Sequence, residues 1–225
     1  MSIVAFDNAA FTSQPASAHA ISLLLTATAG TVLLVASHGN EGTSISTIEV
    51  AGVNLGKLGR IVGGTGTTEL WGLTTPATGV LTINATLVGA SGTQMIWCLG
   101  AATYTGCRTT ATPFGTAVVA SAAASLLATI TIASTASDTV AIAWGLSAVP
   151  AVTLGIGQTE RGSATHSTSG KLVWGDHAGE TSLTLSATSV GTADWAVVAV
   201  NLIHSNSALA VQSWKYTLGM MGVGR

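Results

Sequence analysis

Asp176, His177 and Glu180 form the densest grouping of chemically versatile side chains in this chain, and His166 lies ten residues before the first of them. Carboxylates and imidazoles ligate divalent metals, so the set could hold an ion if its loop folded back on itself. His166, Asp176 and His177 would then serve a metal-dependent hydrolase. The simpler reading, taken here, is a polar turn between strands at Lys171 to Gly175 and Ser182 to Thr188, with no metal. Glu160 and Arg161 follow a strand and read as a surface ion pair or interface contact before a ligand contact. The sequence has no Gly-x-Ser-x-Gly elbow, no His-Glu-x-x-His, and no phosphate-cradling loop with its Lys. Gly63-Gly64-Thr65-Gly66 lacks that Lys and reads as a turn. No catalytic residue is assigned, no cofactor is expected, and the chain reads as a non-enzyme.

Two cysteines, Cys98 and Cys107, make neither a disulfide framework nor a four-ligand zinc set. Cys98 sits in the apolar run Met95-Ile96-Trp97-Cys98-Leu99, where a free thiol behaves as a small core residue, and a bridge to Cys107 stays open. Trp71, Trp97, Trp144, Trp174, Trp195 and Trp214 could include a sugar-stacking platform. Five of them fall in expected strands, where core packing is the default, and Trp214 stands apart.

Only 7% of the residues are charged, against about 25% in an average soluble domain. A surface of Ser, Thr, Gly and Ala lacks the usual protection against self-association, so copies of the chain or a partner are expected to cover it. Seven dispersed Lys and Arg and a net charge of −2 give no basic stripe, which argues against nucleic acid. The first residues have no basic n-region or long apolar h-region, so no secretion signal is expected. Thr109 to Ser137 is free of charge and Phe114 to Ala133 is long enough to span a bilayer. Its recurrent Thr and Ser, and the alternation through Ala128, Ile130 and Ile132, favour a loop to about Thr116 and then two strands, with no membrane span.

These elements are strands throughout. Alternation predicts them at Ile21 to Ala27, Thr31 to Ser37, Ser46 to Ala51, Thr68 to Leu73, Val80 to Leu87 and Met95 to Ala101. The second half adds Leu126 to Ala133, Asp138 to Trp144, Val152 to Gly157, Lys171 to Gly175, Ser182 to Thr188 and Trp195 to Ile203. The halves, about 20–105 and 126–204, resemble each other: Leu70-Trp71-Gly72 matches Val173-Trp174-Gly175, and Leu81-Thr82-Ile83-Asn84-Ala85 matches Leu183-Thr184-Leu185-Ser186-Ala187. A looser match joins Thr31 to Ala36 with Thr139 to Trp144. The fold class is all-β, a jelly-roll-like β-sandwich over 1–204 in which the two copies could supply two Greek keys.

A tail, 205–225, follows. Ser205-Asn206-Ser207 reads as a linker, after which Leu209, Val211, Trp214, Tyr216, Leu218, Met220 and Met221 present apolar groups beyond the last sandwich strand. Ordering about twenty residues costs about 20 kcal/mol or more, and burying one Trp contributes about 4–6 kcal/mol. An ordered tail therefore has to pair its backbone or dock several side chains, as an arm on a neighbour.

Taken in order, Ile48-Glu49-Val50-Ala51-Gly52-Val53, Glu69-Leu70-Trp71, Pro76-Ala77-Thr78-Gly79, Gly155-Ile156-Gly157-Gln158-Thr159-Glu160-Arg161 and Asp194-Trp195-Ala196-Val197-Val198 resemble a β-sandwich domain of phage virion proteins and bacterial surface proteins. The resemblance spans roughly 20–204 and implies an accessory or structural module without catalytic residues. The chain lacks the flanking modules of many bacterial members, which favours a virion component. The implied protein decorates or cements a bacteriophage capsid, as a homotrimer by analogy, and its partners are itself and the major capsid protein or another virion protein. It would assemble in the host cytoplasm. The alternative is a glycan- or receptor-binding module of a tail fibre or cell-surface protein, which predicts one exposed Trp or Tyr beside polar groups.

Overall fold

A computed structural model describes residues 4–14, 19–28, 31–40, 43–64, 66–88, 97–109, 111–148, 150–166 and 170–205. These form fifteen strands, all paired antiparallel. The first nine are β1 (Ala5–Gln14), β2 (Ala20–Ala27), β3 (Val32–Asn40), β4 (Ser44–Val50), β5 (Val53–Asn54), β6 (Gly56–Gly63), β7 (Gly66–Thr74), β8 (Gly79–Val88) and β9 (Trp97–Thr105). They build two sheets, ordered β1-β9-β3-β7-β6 and β2-β8-β4-β5. The other six are β10 (Val118–Ile132), β11 (Thr139–Leu146), β12 (Val152–Leu154), β13 (Thr159–His166), β14 (Gly170–Ala178) and β15 (Leu183–Leu202). They form one sheet, β10-β15-β11-β14-β13, with β12 added on β15.

Side-chain period explains which sheets lie outside. On β2, Ile21, Leu23, Leu25 and Ala27 are buried while the residues between them are exposed, and β8 alternates likewise through Leu81, Ile83, Ala85 and Leu87. Such half-buried strands belong to a sheet with one wet face. In contrast, every described position of β11 is buried, as are the first eight of β9 and the first seven of β7, so these strands have protein on both faces.

Three apolar cores result. One joins the β2-β8-β4 sheet to β3, β7 and β9 through Leu33, Val35, Trp71, Trp97 and Leu99. Another lies within the second half, where Ala128, Ile130, Leu183 and Leu185 pack on Ile142, Trp144, Trp195 and Val197. The third sits between the halves and brings Leu34, Ala36, Leu70 and Tyr104 against Ala141, Ala143, Leu172, Trp174 and Val198. The chain is thus four layers of sheet, and each half closes its own sandwich; the halves do not share the keys of a single one.

The two halves repeat the same strand pairing. In the first, β9-β3-β7-β6 and β2-β8-β4 are consecutive neighbours; in the second, the C-terminal part of β15 with β11, β14 and β13, and the later part of β10 with the start of β15 and β12, repeat those neighbours. Leu25 opposite Leu81 corresponds to Ile132 opposite Leu183. The equivalence also corrects the tryptophan match. Leu70 corresponds to Leu172 and Trp71 to Val173, since both leucines enter the central core and Trp71 and Val173 enter the two flanking ones. Aligning Trp71 with Trp174 is one residue out, and a one-residue slip exchanges the two faces of a strand.

The halves meet about a pseudo-twofold axis. β1 of the first packs on β13 of the second, while β6 packs on β10, the equivalents exchanged. Small residues allow the approach: a Cβ at Gly145 would overlap Thr68 Oγ1 and His38 Nδ1 across the junction. Gly145→Ala is expected to destabilise the protein by about 1–3 kcal/mol, the usual cost of overpacking, as read by a lower urea midpoint at unchanged m-value.

Several expected boundaries move. Sequence alternation misses β1, β5, β6 and β13, and Val152 to Gly157 contributes only the short β12. Ser182 to Thr188 and Trp195 to Ile203 are one strand, β15. The stretch from Phe114 to Ala133 likewise holds one strand in place of two, because β10 bends without ending. Its register shifts between Ala122 and Leu127, where Ala124 has φ 44°. There Asp194 Oδ1 accepts the Ala124 N–H, the Ser125 carbonyl accepts the Trp195 Nε1–H, and Ser125 Oγ accepts the Leu127 N–H. These bonds satisfy a backbone that the bulge removes from the ladder.

Candidate functional site

A cleft of about 450 Å³ opens where β1 crosses the ends of β13 and β14. Val4 and Phe6 form its apolar side, and Thr159, Arg161, Asp176 and His177 its polar side. Arg161 is the bulged residue of β13, so its side chain turns back over β14. Its Nε donates to Asp176 Oδ2 at 2.7 Å, and its guanidinium lies 4.3 Å from the centre of the Phe6 ring. Asp176 also meets the Tyr104 hydroxyl, whose oxygen accepts the Trp174 Nε1–H at 3.0 Å. Burial, then the Asp176 charge, pushes the Tyr104 phenol well above its usual range, so it stays protonated and donates.

The carboxylate is therefore engaged from both sides, by a guanidinium and by a buried phenol. Such a group positions strands and is poorly placed to take a proton from a substrate. The cleft is a clamp between the two halves, with a size in the range of small-ligand pockets.

The structure separates the sequence-nominated metal set. Asp176 and His177 are strand residues of β14, which corrects their placement in a turn; the turn is 179–182. Glu180 is exposed in that turn. His166 pairs with Gly170 while Thr159 pairs with Asp176, so His166 sits at the other end of β13, about 20 Å away at about 3.3 Å per residue. Among the described residues, no three His, Cys, Asp or Glu side chains are grouped to hold a metal ion. Arg161 does form an ion pair, with Asp176 and not with Glu160, which is exposed.

Trp71, Trp97, Trp144, Trp174 and Trp195 are all buried, as is Tyr104, so among the described residues no Trp or Tyr offers a stacking face. Leu209, Val211, Trp214, Tyr216, Leu218, Met220 and Met221 lie outside the described residues. Cys98 and Cys107 are free and buried, not bridged. Burial pushes both thiols up to about 12. Both are expected to resist a thiol reagent at neutral pH in the folded protein and to react after unfolding in urea; fast labelling of either without denaturant would contradict the buried placement. No helix is long and apolar enough to cross a membrane among the described residues.

Two buried polar clusters escape the sequence reading. Glu69 on β7 is fully buried and takes Lys57 Nζ and Arg60 Nε at 3.1 Å each, Ser44 Oγ at 2.8 Å, and the Ile45 N–H and Trp71 Nε1–H at 3.2 Å. Lys57 also lies 4.6 Å from the Trp71 ring centre. His38 is buried at the junction, with Nδ1 2.9 Å from Thr68 Oγ1, which donates to the Ala196 carbonyl of the other half. Alternation around Glu69-Leu70-Trp71 signals a strand, but a charge inside a strand otherwise buried on both faces is the sign that partners must converge on it.

Comparison with known protein families, curated proteins and solved structures finds no match to this chain.

Proposed function

We propose that the protein is a non-enzymatic virion component, a capsid decoration or cement protein that stabilises a phage head through protein–protein contacts. The observation that carries the reading is the chemistry of the two outer sheet faces. They stand at opposite ends of the four-layer stack and are neutral in most positions: Ser22, Leu24, Thr82, Asn84, Thr86 and Val88 on one, Thr129, Thr131, Thr184, Thr188 and Val190 on the other. Surfaces so poor in charge are suited to being covered by protein. The resemblance of the motif order to virion sandwich domains supports the same reading, and each half is read as a jelly-roll-like unit. Assembly takes place in the host cytoplasm, with subunits associating around a symmetry axis while the terminal arm reaches an adjacent subunit or the major capsid protein.

Truncation after Ser205 tests the arm. The shortened chain is expected to keep its unfolding midpoint and lose most of its binding to shells lacking the protein, measured by cosedimentation. Undiminished binding would remove the arm from the mechanism.

The cleft beside Phe6 and Arg161 favours a second reading, a glycan- or receptor-binding module. It predicts saturable glycan binding lost in Arg161→Ala or Trp214→Ala; a glycan panel with no binder would leave the structural reading alone.

A further inference from the structure

β10 is the outermost strand of its sheet, paired with β15 on one side and, among the described residues, with nothing on the other. A free edge presents unpaired N–H and C=O groups and is a template for another strand, so proteins usually guard it with charge or cover. The other edges here are guarded. β1 carries Asp7, β6 carries Lys57 and Arg60, β13 carries Glu160 and Arg161, and β4 ends beside Glu49. β2, the repeat counterpart of the later part of β10, is neutral, and β1 holds its C-terminal end: Asn8 donates to the Thr26 carbonyl, and Asp7 accepts the N–H and hydroxyl of Thr28, just beyond the strand. β12 has three residues.

β10 has fifteen residues and no charge. Beyond its bulge, Leu127-Ala128-Thr129-Ile130-Thr131-Ile132 alternates strictly: Ala128, Ile130 and Ile132 are buried and the others exposed, Leu127 by 48%. A six-residue segment dominated by β-branched Thr and Ile, with no Pro, Gly or charge, has the pattern of self-pairing strands.

We propose that this edge is a self-association site, and that its occupant is the same segment of a second copy. The pairing is antiparallel about a two-fold axis through Thr129, so that Thr129 faces Thr129 and Leu127 faces Thr131 of the other molecule. That register keeps the buried residues of both strands on one side and sets a Thr–Thr pair at the axis, a favourable cross-strand combination. It also continues the β12-β15-β10 layer of one subunit into that of the next. A neutral strand meets its own copy without repulsion, whereas β6, with Lys57 and Arg60, would set like charges against each other in such a pair. The inference rests on the reading of the protein as an assembly subunit, but not on the terminal arm.

Light scattering of the full chain over a dilution series, from micromolar to millimolar, tests it. At the upper end the mass is expected to reach twice that of the 22.3 kDa chain. Thr129→Lys and Thr129→Glu, each placing like charges across the axis, are expected to give single-chain masses, and an equimolar mixture of the two to return to the two-chain mass. Thr129 is exposed, so both variants should keep the parent's thermal midpoint, which separates lost pairing from lost folding. A single-chain or three-chain mass for the parent, or a two-chain mass unaltered in both variants, would overturn the proposal. Truncation after Ser205 should leave the two-chain mass in place; its loss there would assign the contact to the arm and overturn the β10 site, while the assembly reading would stand.

Discussion

Glu69→Ala is expected to lower the free energy of unfolding by about 3–5 kcal/mol, the range for removing one partner of a buried ion pair. The carboxylate is the common acceptor for five donors drawn from β4, β6 and β7, and so ties the outer sheet of the first half to its inner sheet. Lys57 and Arg60 can turn back to water, since their side chains are 34% and 40% exposed. The Ile45 amide and the Trp71 indole cannot do so as readily, because both are buried, and each orphaned donor costs about 1–3 kcal/mol. The loss should therefore come mainly from neutral donors and be little affected by salt. A urea titration giving a change below about 1 kcal/mol would show that the cluster is dispensable.

His38 is expected to make the protein acid-sensitive in a window where carboxylates contribute little. Burial lowers its pKa from 6.5 to about 4 in the folded state, against a weaker upward pull from the hydrogen bond at Leu146. Above pH 6.5 the ring is neutral both folded and unfolded, and stability does not depend on it. Below 6.5 the unfolded chain takes up a proton that the folded chain refuses until about pH 4, so stability falls through that interval, by about 3 kcal/mol in all. His38→Gln should remove this slope between pH 6.5 and 4, at some fixed cost from altered packing against Gly66 and Gly145. Equal slopes in the two proteins would mean that the ring is hydrated or protonated in the native state.

Strands with one wet face were the easiest to read from sequence. Ile21 to Ala27 and Val80 to Leu87 emerge nearly in full, because their two-residue period is a direct record of burial on one side. β6 and β13 were missed for the opposite reason: they are edge strands, and glycines and the charges that guard them break the period. The bend in β10 was invisible because the groups that satisfy it, Asp194 and Trp195, come from far along the chain. The polar set at Asp176 and His177 was found by residue type, but its partners were not. Arg161 reaches Asp176 once the bulged β13 pairs with β14, and Tyr104 only once one half of the chain is laid on the other.

The layered duplication also bears on how the chain is made. The first repeat has all its strands once Thr105 is synthesised, but the face that it turns to its twin, with Leu34, Ala36, Leu70, Ala102 and Tyr104, has no cover until β15 is complete. At about 5–20 residues per second the nascent chain would hold that apolar sheet open for roughly 5–20 s. During that interval a neighbouring nascent chain offers the same surface as the missing half. Chaperone occupancy on the ribosome should therefore rise after the first repeat emerges and fall when the second closes over it.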